Sequence, residues 1–378
     1  MPDMSQLTAS DFQALGLYDP ADPHAAQQLE LLEYLVSVGA TGEDLVDYRH
    51  DLAGLPSVLA FRTGRALTAS EAAEQGGIEE QKLLRVSRAA GFPDPGPEDR
   101  VFTERFAGLA AGLTAAEELL GEDVVIQLVR VMGSAMARLA DALVSAFLVN
   151  AEPGLSRDDP VGMQVARANT RAGELVPTVV IGLDILLRRH LLIARRSSLG
   201  MGSTAGYETR QMCVGFADLV GSTALAQRAS TVELGGVLSE FERIVSDTVT
   251  TAGGRVVKLI GDEVLFTAGN PHSGCSIALQ LADNFAHHAK VPPVRVGLAA
   301  GEVMLRDGDV FGPVVNLAAR AVKVAAPGQI LVPPALAAAA GLACEPLGTR
   351  ELKGFDDEVP LCRLLAREQR AADANGAS

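Results

Sequence analysis

The sequence predicts a multidomain chain, with an all-α first half joined by a short linker to an α+β second half. Two observations predict it. Apolar residues recur at helical spacing through the first half, and after a run of small residues at 197–206 the pattern changes to short strands alternating with helices. The length agrees, since 378 residues exceed one typical domain of about 100–200 residues. Apolar residues make up 48% of the chain against 21% charged, which supplies packed cores and excludes a disordered chain. With aromatics at 4% and no Trp, those cores must be built mainly from Ala, Leu and Val.

In chain order, the first helical signal is Leu29, Leu31, Leu32, Leu35 and Val36, and the same three-and-four spacing returns across 124–147. Breaks fall at Gly91-Phe92-Pro93-Asp94-Pro95-Gly96-Pro97 and at Pro153-Gly154, and the first of these is expected to divide the half into two lobes near Pro93. Thr68-Ala69-Ser70-Glu71 has the form of a capping box that opens a helix. From there to Phe92, with Gly76-Gly77 between two helical runs, the chain resembles a helix-turn-helix. Its charges are Glu71, Glu74, Glu79 and Glu80 against Lys82, Arg85 and Arg88, a balance that fits two packed helices better than a DNA-reading unit.

The linker, 197–210, follows the basic helix end Arg188-Arg189-His190 to Arg195-Arg196 and is mostly Ser, Gly, Thr and Ala. The first domain is thus 1–196, the second 211–367, and 368–378 is expected to be a disordered tail. Beyond the linker the pattern predicts a strand at 212–217, a helix at 232–252 and a turn at Gly253-Gly254. Strands at 255–260 and 264–267 flank Gly261-Asp262, a hairpin signal. A helix at 273–288, strands at 294–300 and 302–306, a helix at 314–325 and a strand at 329–332 complete it. Strand-helix-strand-strand-helix-strand is the ferredoxin-like plan, expected here with helices on one face.

The formal charge of -15 and the pI near 4.9 speak against attraction to nucleic acid or anionic lipid. Cys213, Cys275, Cys344 and Cys362 show no CxxC pair and read as small hydrophobes in a reducing compartment. The first residues carry no signal-peptide pattern. The most apolar run, 176–193, is interrupted by Asp184, Arg188, Arg189 and His190, so no transmembrane segment is expected and the chain reads as cytoplasmic.

Two aspartates stand at comparable places: Asp218 ends the first strand of the second half, and Asp262 sits in the hairpin turn. Side by side, such carboxylates suit Mg²⁺ or Mn²⁺ held together with phosphates, although either Asp alone is an ordinary turn or cap residue. Leu219-Val220-Gly221-Ser222-Thr223 follows, where a strand gives way to a helix whose first amides have no internal partner, a cradle for phosphate. No GxxxxGK[ST] sequence is present, so the phosphate chemistry is metal-centred. Asn316 and Arg320, four apart, share one helical face; Arg can stabilise charge on a phosphorus and Asn can orient a sugar.

The strings FADLVGST, VVKLIGDEVLF and DVFGPVVNLAAR occur in an order and at spacings that resemble the class III nucleotidyl cyclases, over most of residues 211–365. The resemblance implies that Asp218 and Asp262, with Leu219 beside them, hold two Mg²⁺ or Mn²⁺ ions. It also implies that Lys258 and Asp309 read the base, that Asn316 positions the ribose and that Arg320 stabilises the pentavalent phosphorus, beside the phosphate cradle read above at Gly221, Ser222 and Thr223. Lys353 resembles a family element near the triphosphate. A Lys donor and an Asp acceptor match N1 and N6 of adenine and mismatch guanine, which favours ATP over GTP. In this family the metal aspartates of one subunit face the base-reading and Asn/Arg residues of the other, implying a homodimer that forms cyclic AMP and pyrophosphate from ATP.

The helical half resembles, more loosely, the regulatory domain of pH-responsive mycobacterial and related actinobacterial cyclases, where it restrains the catalytic half. That makes His190, a residue type that titrates near physiological pH, the candidate proton sensor, with an ordinary exposed helix histidine as the plainer alternative. Apolar helical domains also bind fatty acyl chains or other small apolar ligands. The competing functions are a non-enzymatic nucleotide-sensing or dimerisation module, a DNA-binding regulator acting through 68–92, and a cyclase making cyclic GMP.

Overall fold

The computed structural model describes residues 7–62, 64–150, 155, 159–198, 203–204 and 207–365. The chain divides between Ser198 and Leu199 into two units. The expected tail and the Pro153-Gly154 break lie outside the described residues.

In the first unit, α1 (Ala9–Ala14), α2 (Ala25–Ser37), α3 (Gly42–Asp47) and α4 (Leu55–Phe61) enclose Phe12, Leu31, Leu32, Leu35, Leu45 and Leu55. A second lobe follows: β1 (Ala66–Leu67), α5 (Ala69–Gly76), α6 (Glu80–Ala89), β2 (Phe102–Thr103), α7 (Glu104–Leu120) and α8 (Glu122–Asn150). Its core holds Leu67, Ala72, Leu83, Phe102, Ala107 and Ala110. The chain then returns to the first lobe with α9 (Met163–Glu174), whose Ala166 joins that core, and continues as α10 (Val176–Ser198). The lobes therefore do not divide near Pro93. The Pro-rich loop is a connector within the second lobe, because Ala66 and Leu67 pair with Thr103 and Phe102 across it. That small β ladder is the one departure from the all-α expectation among the described residues of this unit.

Three of these helices start alike. Thr8, Thr41 and Thr68 cap α1, α3 and α5, each answered three residues on by Asp11, Asp44 or Glu71 in a reciprocal capping box. The helix pair at 68–92 is present, with Gly77 left-handed at the turn (φ 62°). Its basic residues are engaged internally: Lys82 pairs with Glu117 at 2.6 Å, Arg85 with Glu122, and Arg88 with Asp94 at 2.8 Å. Such pairing suits packed helices, not a DNA-reading surface. Among the described residues α8 is the one helix long and apolar enough to cross a membrane by length and composition. Its first turns are nonetheless buried through Val125, Ile126 and Val129. Farther along, α8 exposes Met132, Leu143 and Val144, and α10 exposes Ile181, Ile185 and Leu192.

The second unit contains β3 (Ser203–Thr204), β4 (Tyr207–Leu219), α11 (Ser222–Arg228), α12 (Thr231–Thr251), β5 (Arg255–Ile260), β6 (Glu263–Ala268) and α13 (Pro271–Ala286). After them come β7 (Val294–Arg306), β8 (Asp309–Phe311), α14 (Pro313–Val324), β9 (Ile330–Val332), α15 (Pro334–Ala340), β10 (Cys344–Arg350) and β11 (Val359–Leu364). The sheet runs β10-β11-β9-β7-β4-β6-β5, with β3 on β4 and β8 on β7. Its centre, β7-β4-β6-β5, is antiparallel throughout and reproduces the ferredoxin-like order, while β9 joins β7 in parallel.

The expected linker 197–210 is only partly a connector, since α10 reaches Ser198, Ser203 and Thr204 pair with β4, and β4 starts at Tyr207. The strands expected at 294–300 and 302–306 are one strand, β7, with Gly301 (φ 157°) taken in its course. Helices cover both faces, not one. Phe241 of α12, Phe285 of α13 and Leu336 of α15 pack on the face that carries Cys213, Ala217 and Leu219. On the other face α14 sets Ala318 and Val322 against Val214, Phe216 and Leu265. There α14 rests on backbone: a Cβ at Gly297 would lie 2.3 Å from the Val322 nitrogen and 2.5 Å from the Ala318 oxygen. Burial holds the Cys213, Cys275 and Cys362 thiols up at about 12, as small buried hydrophobes.

Candidate active site

Strand register assembles the site. Asp218, at the end of β4, stands opposite Glu263 of β6 on one side and Arg295 of β7 on the other. Directly opposed residues in an antiparallel sheet share a face, and this is the face α14 covers. The β5–β6 turn is tight, with Gly261 left-handed at φ 63°, and it brings Asp262 alongside. Leu219 N–H donates to the Asp262 carbonyl at 3.0 Å, so the expected juxtaposition of Asp218, Leu219 and Asp262 at one end of the sheet is present.

Asp218 is 3% exposed, and its charge is met from two sides. Arg295 donates Nε at 2.9 Å and Nη2 at 2.5 Å to Oδ2, and Lys323 Nζ lies 3.4 Å from the same oxygen. Lys323 also reaches Glu263 Oε2 at 3.0 Å. Burial pushes the Glu263 carboxyl up, Lys323 pulls it down, and the Asp218 and Asp262 charges push it up again, for a net rise. Burial alone would lower Lys323, but Glu263 and Asp218 outweigh it and raise its proton affinity.

The loop after β4 has Gly221 left-handed (φ 75°) before α11, and Ser222 Oγ donates to the Asp262 carboxylate. Thr223 is exposed on the first turn of α11. On the far side, Lys258 of β5 forms an ion pair with Asp309 of β8, which joins the two expected base-reading residues. Arg255 Nη2 donates to the Gly308 carbonyl at 2.9 Å and fastens the same loop. Asn316 and Arg320 are exposed one turn apart on α14, and Arg320 Nε donates to the Lys353 carbonyl at 3.0 Å. Lys353 thus enters through its backbone, with its side chain exposed. Of the α14 residues it is Lys323, not Arg320, that reaches Asp218 of its own chain.

The donor set is hard oxygen, as Mg²⁺ or Mn²⁺ requires, and two protein cations already converge on Asp218 Oδ2. Among the described residues no group of three His, Cys, Asp or Glu side chains is placed to hold a metal unaided. Sequence reasoning missed Glu263, Arg295 and Lys323. Their signals were the acid next to Asp262, the register opposite Asp218, and the 316–320–323 spacing along α14.

In the first unit, His190 is exposed on α10 near the Asp184–Arg188 ion pair (2.9 Å). Between α4, α8, α9 and the start of α10 lies a cavity of about 490 Å³, lined by Phe61, Val144, Phe147, Leu148, Val176 and Asn169 among others.

Residues 205–360 match a family model described as the adenylate and guanylate cyclase catalytic domain, and residues 10–192 match one described as the adenylate cyclase regulatory domain. An uncharacterized protein of Mycobacterium tuberculosis is 36% identical over 383 residues, 97% of each chain. A Streptomyces coelicolor protein named adenylate cyclase is 36% identical over 282 residues, 72% of this chain and 71% of its own. A further Mycobacterium tuberculosis protein, named pH-sensitive adenylate cyclase, is 29% identical over 366 residues, 93% of this chain and 91% of its own.

Proposed function

The chain belongs to the adenylate and guanylate cyclase family, with a helical regulatory region before its catalytic domain, and from that premise we propose that it converts ATP to 3′,5′-cyclic AMP and pyrophosphate as a homodimer. The observation that carries the choice of ATP is the Lys258–Asp309 pair, a donor and an acceptor side by side. Adenine opens that pair, with Lys258 donating to N1 and Asp309 accepting from the N6 amino group. Guanine offers the opposite pattern and leaves both groups unsatisfied.

Asp218 and Asp262, with the Leu219 carbonyl, would hold the metal ions. When bound, Mg²⁺ or Mn²⁺ lowers the pKa of the ribose 3′-hydroxyl and neutralises phosphate charge. Asn316 orients the ribose so that the 3′-oxygen lies in line with the α-phosphorus. The hydroxyl gives its proton to water, a bond forms between its oxygen and the phosphorus as the bond to pyrophosphate breaks, and Arg320 stabilises the charge that develops. Arg320 is preset for this, because the Lys353 carbonyl fixes its Nε and leaves its terminal nitrogens to turn toward phosphate. Gly221, Ser222 and Thr223 cradle phosphate, and the Ser222 hydroxyl ties that loop to Asp262.

Asn316 and Arg320 act on the site of a second copy, so two inactive variants should complement. Asp218→Ala and Arg320→Ala proteins, each inactive, should regain about a quarter of parental cyclic AMP formation when equal amounts exchange subunits, since half the dimers then hold one intact site of two. Confirmed exchange without activity overturns the shared-site reading. The first unit restrains the second in this reading, pH biases the balance through His190 and other groups, and the reaction takes place in the cytoplasm, where ATP is supplied. The apolar cavity is the candidate place for an acyl chain or another small apolar ligand, and the Asn169 amide in its wall is engaged within the protein, accepting from Ser57 and donating to the Ala53 carbonyl.

A further inference from the structure

Glu263, Asp218 and Arg295 stand abreast on three adjacent strands, with Asp262 at the next turn. Three carboxylates at one sheet end repel one another unless cations are held among them. The two cations present are held differently. Arg295 is fixed, with two bonds to Asp218 and a third, from Nη1, to the Lys323 carbonyl at 3.3 Å. Lys323 is tethered by a flexible side chain that is 46% exposed; it sits 3.0 Å from Glu263 and only at the edge of hydrogen-bonding range of Asp218, at 3.4 Å. It can leave Asp218 for Glu263 alone while the helix stays where it is.

We propose that Lys323 is the displaceable counter-cation of Asp218 beside the fixed Arg295 in the metal-free enzyme and that the divalent ion displaces it, so that metal binding is an exchange of one cation for another. The inference rests on Asp218 being a metal carboxylate. Lys323 is here a positioning residue: it holds Asp218 and Glu263 in place while no metal is bound. It also opposes the entry of metal alone, since an ammonium a few ångströms from a dication repels it. A nucleotide removes that opposition, because its phosphates supply the negative charge that lets both cations stay. Metal and nucleotide are thereby made to bind together.

The test is Mn²⁺ binding to the full chain without nucleotide, read from the electron paramagnetic resonance of free Mn²⁺. Lys323→Met should bind Mn²⁺ roughly tenfold more tightly than the parent, the effect of removing one nearby positive charge. It should also melt at lower temperature in chelator. Lys323→Arg, which keeps the charge, should match the parent in both. Equal or weaker Mn²⁺ binding by Lys323→Met overturns the exchange. Should that variant not fold, the parent itself decides. After reductive ¹³C-methylation, the lysine signal absent from the Lys323→Arg spectrum should move when Mg²⁺ is added, and a signal that stays in place overturns the proposal. Asp218→Asn separates the two claims. It should lose Mn²⁺ binding, and undiminished binding would remove the metal assignment itself and the exchange with it.

Discussion

At the residue scale, the candidate constellation was legible where it lies within a motif. Asp218, Asp262, Asn316 and Arg320 taken singly read as ordinary turn, cap or surface residues, and it is the strings that resemble a family that give roles to them and to Lys258 and Asp309. Arg295 was not legible, because its meaning comes from strand register, which local spacing does not contain. Lys323 shares the spacing of Asn316 and Arg320, but that spacing does not say which helix face meets the sheet. The Lys258–Asp309 pair yields a prediction at this scale. Lys258→Ala should lower kcat/KM for ATP about 10–100-fold, the cost of one unsatisfied buried acceptor, and should narrow the preference for ATP over GTP. Steady-state rates with both nucleotides check it, and an unchanged ATP-to-GTP ratio removes Lys258 from base selection.

At the element scale, the helix start at Thr68 was readable from Glu71 three residues on, whereas the same boxes at Thr8 and Thr41 went unread and the same spacing at Thr114 and Glu117 lies inside a helix. The unforeseen elements are short or end-loaded: β8 spans three residues, and β10 and β11 have burial patterns without clean alternation. The cap of α3 carries a stability prediction. Asp44 accepts from the Thr41 amide at 2.9 Å and the Thr41 hydroxyl at 2.8 Å, and pairs with Arg62 at 2.5 Å. Burial pushes its carboxyl up, but the Thr41 amide, the Arg62 guanidinium and the Thr41 hydroxyl outweigh that and hold it below its ordinary value of 3.8. A carboxyl depressed on folding stabilises above its unfolded pKa, and that stability is lost as pH falls through the folded value. Asp44→Ala should therefore cost about 1–2 kcal/mol at pH 7. The gap between parent and variant in urea titrations should close once the pH drops below 4; a gap independent of pH rules out the charged cap.

At the scale of the whole molecule, two units with separate cores were legible from the change of periodicity, while the lobes of the first unit were not. Its chain leaves the first core after α4 and comes back with α9, a return that no local signal marks. The full chain should depend on pH more steeply than residues 206–378 alone, and His190→Ala should flatten the difference. Driving a two-state balance from one side to the other takes about 5.5 kcal/mol, so His190 acts with other groups and not alone. Superimposable profiles would remove the regulatory role and leave the catalytic one. There remains Gly297, where α14 lies on bare main chain. Side chains can be exchanged or can change rotamer, whereas a peptide plane has almost no such freedom. The clearance between the helix that bears Asn316, Arg320 and Lys323 and the sheet that bears Asp218 is therefore set by a missing methyl group. The alignment of the site is machined in backbone, and drift of the sequence around it leaves that tolerance untouched as long as position 297 stays empty.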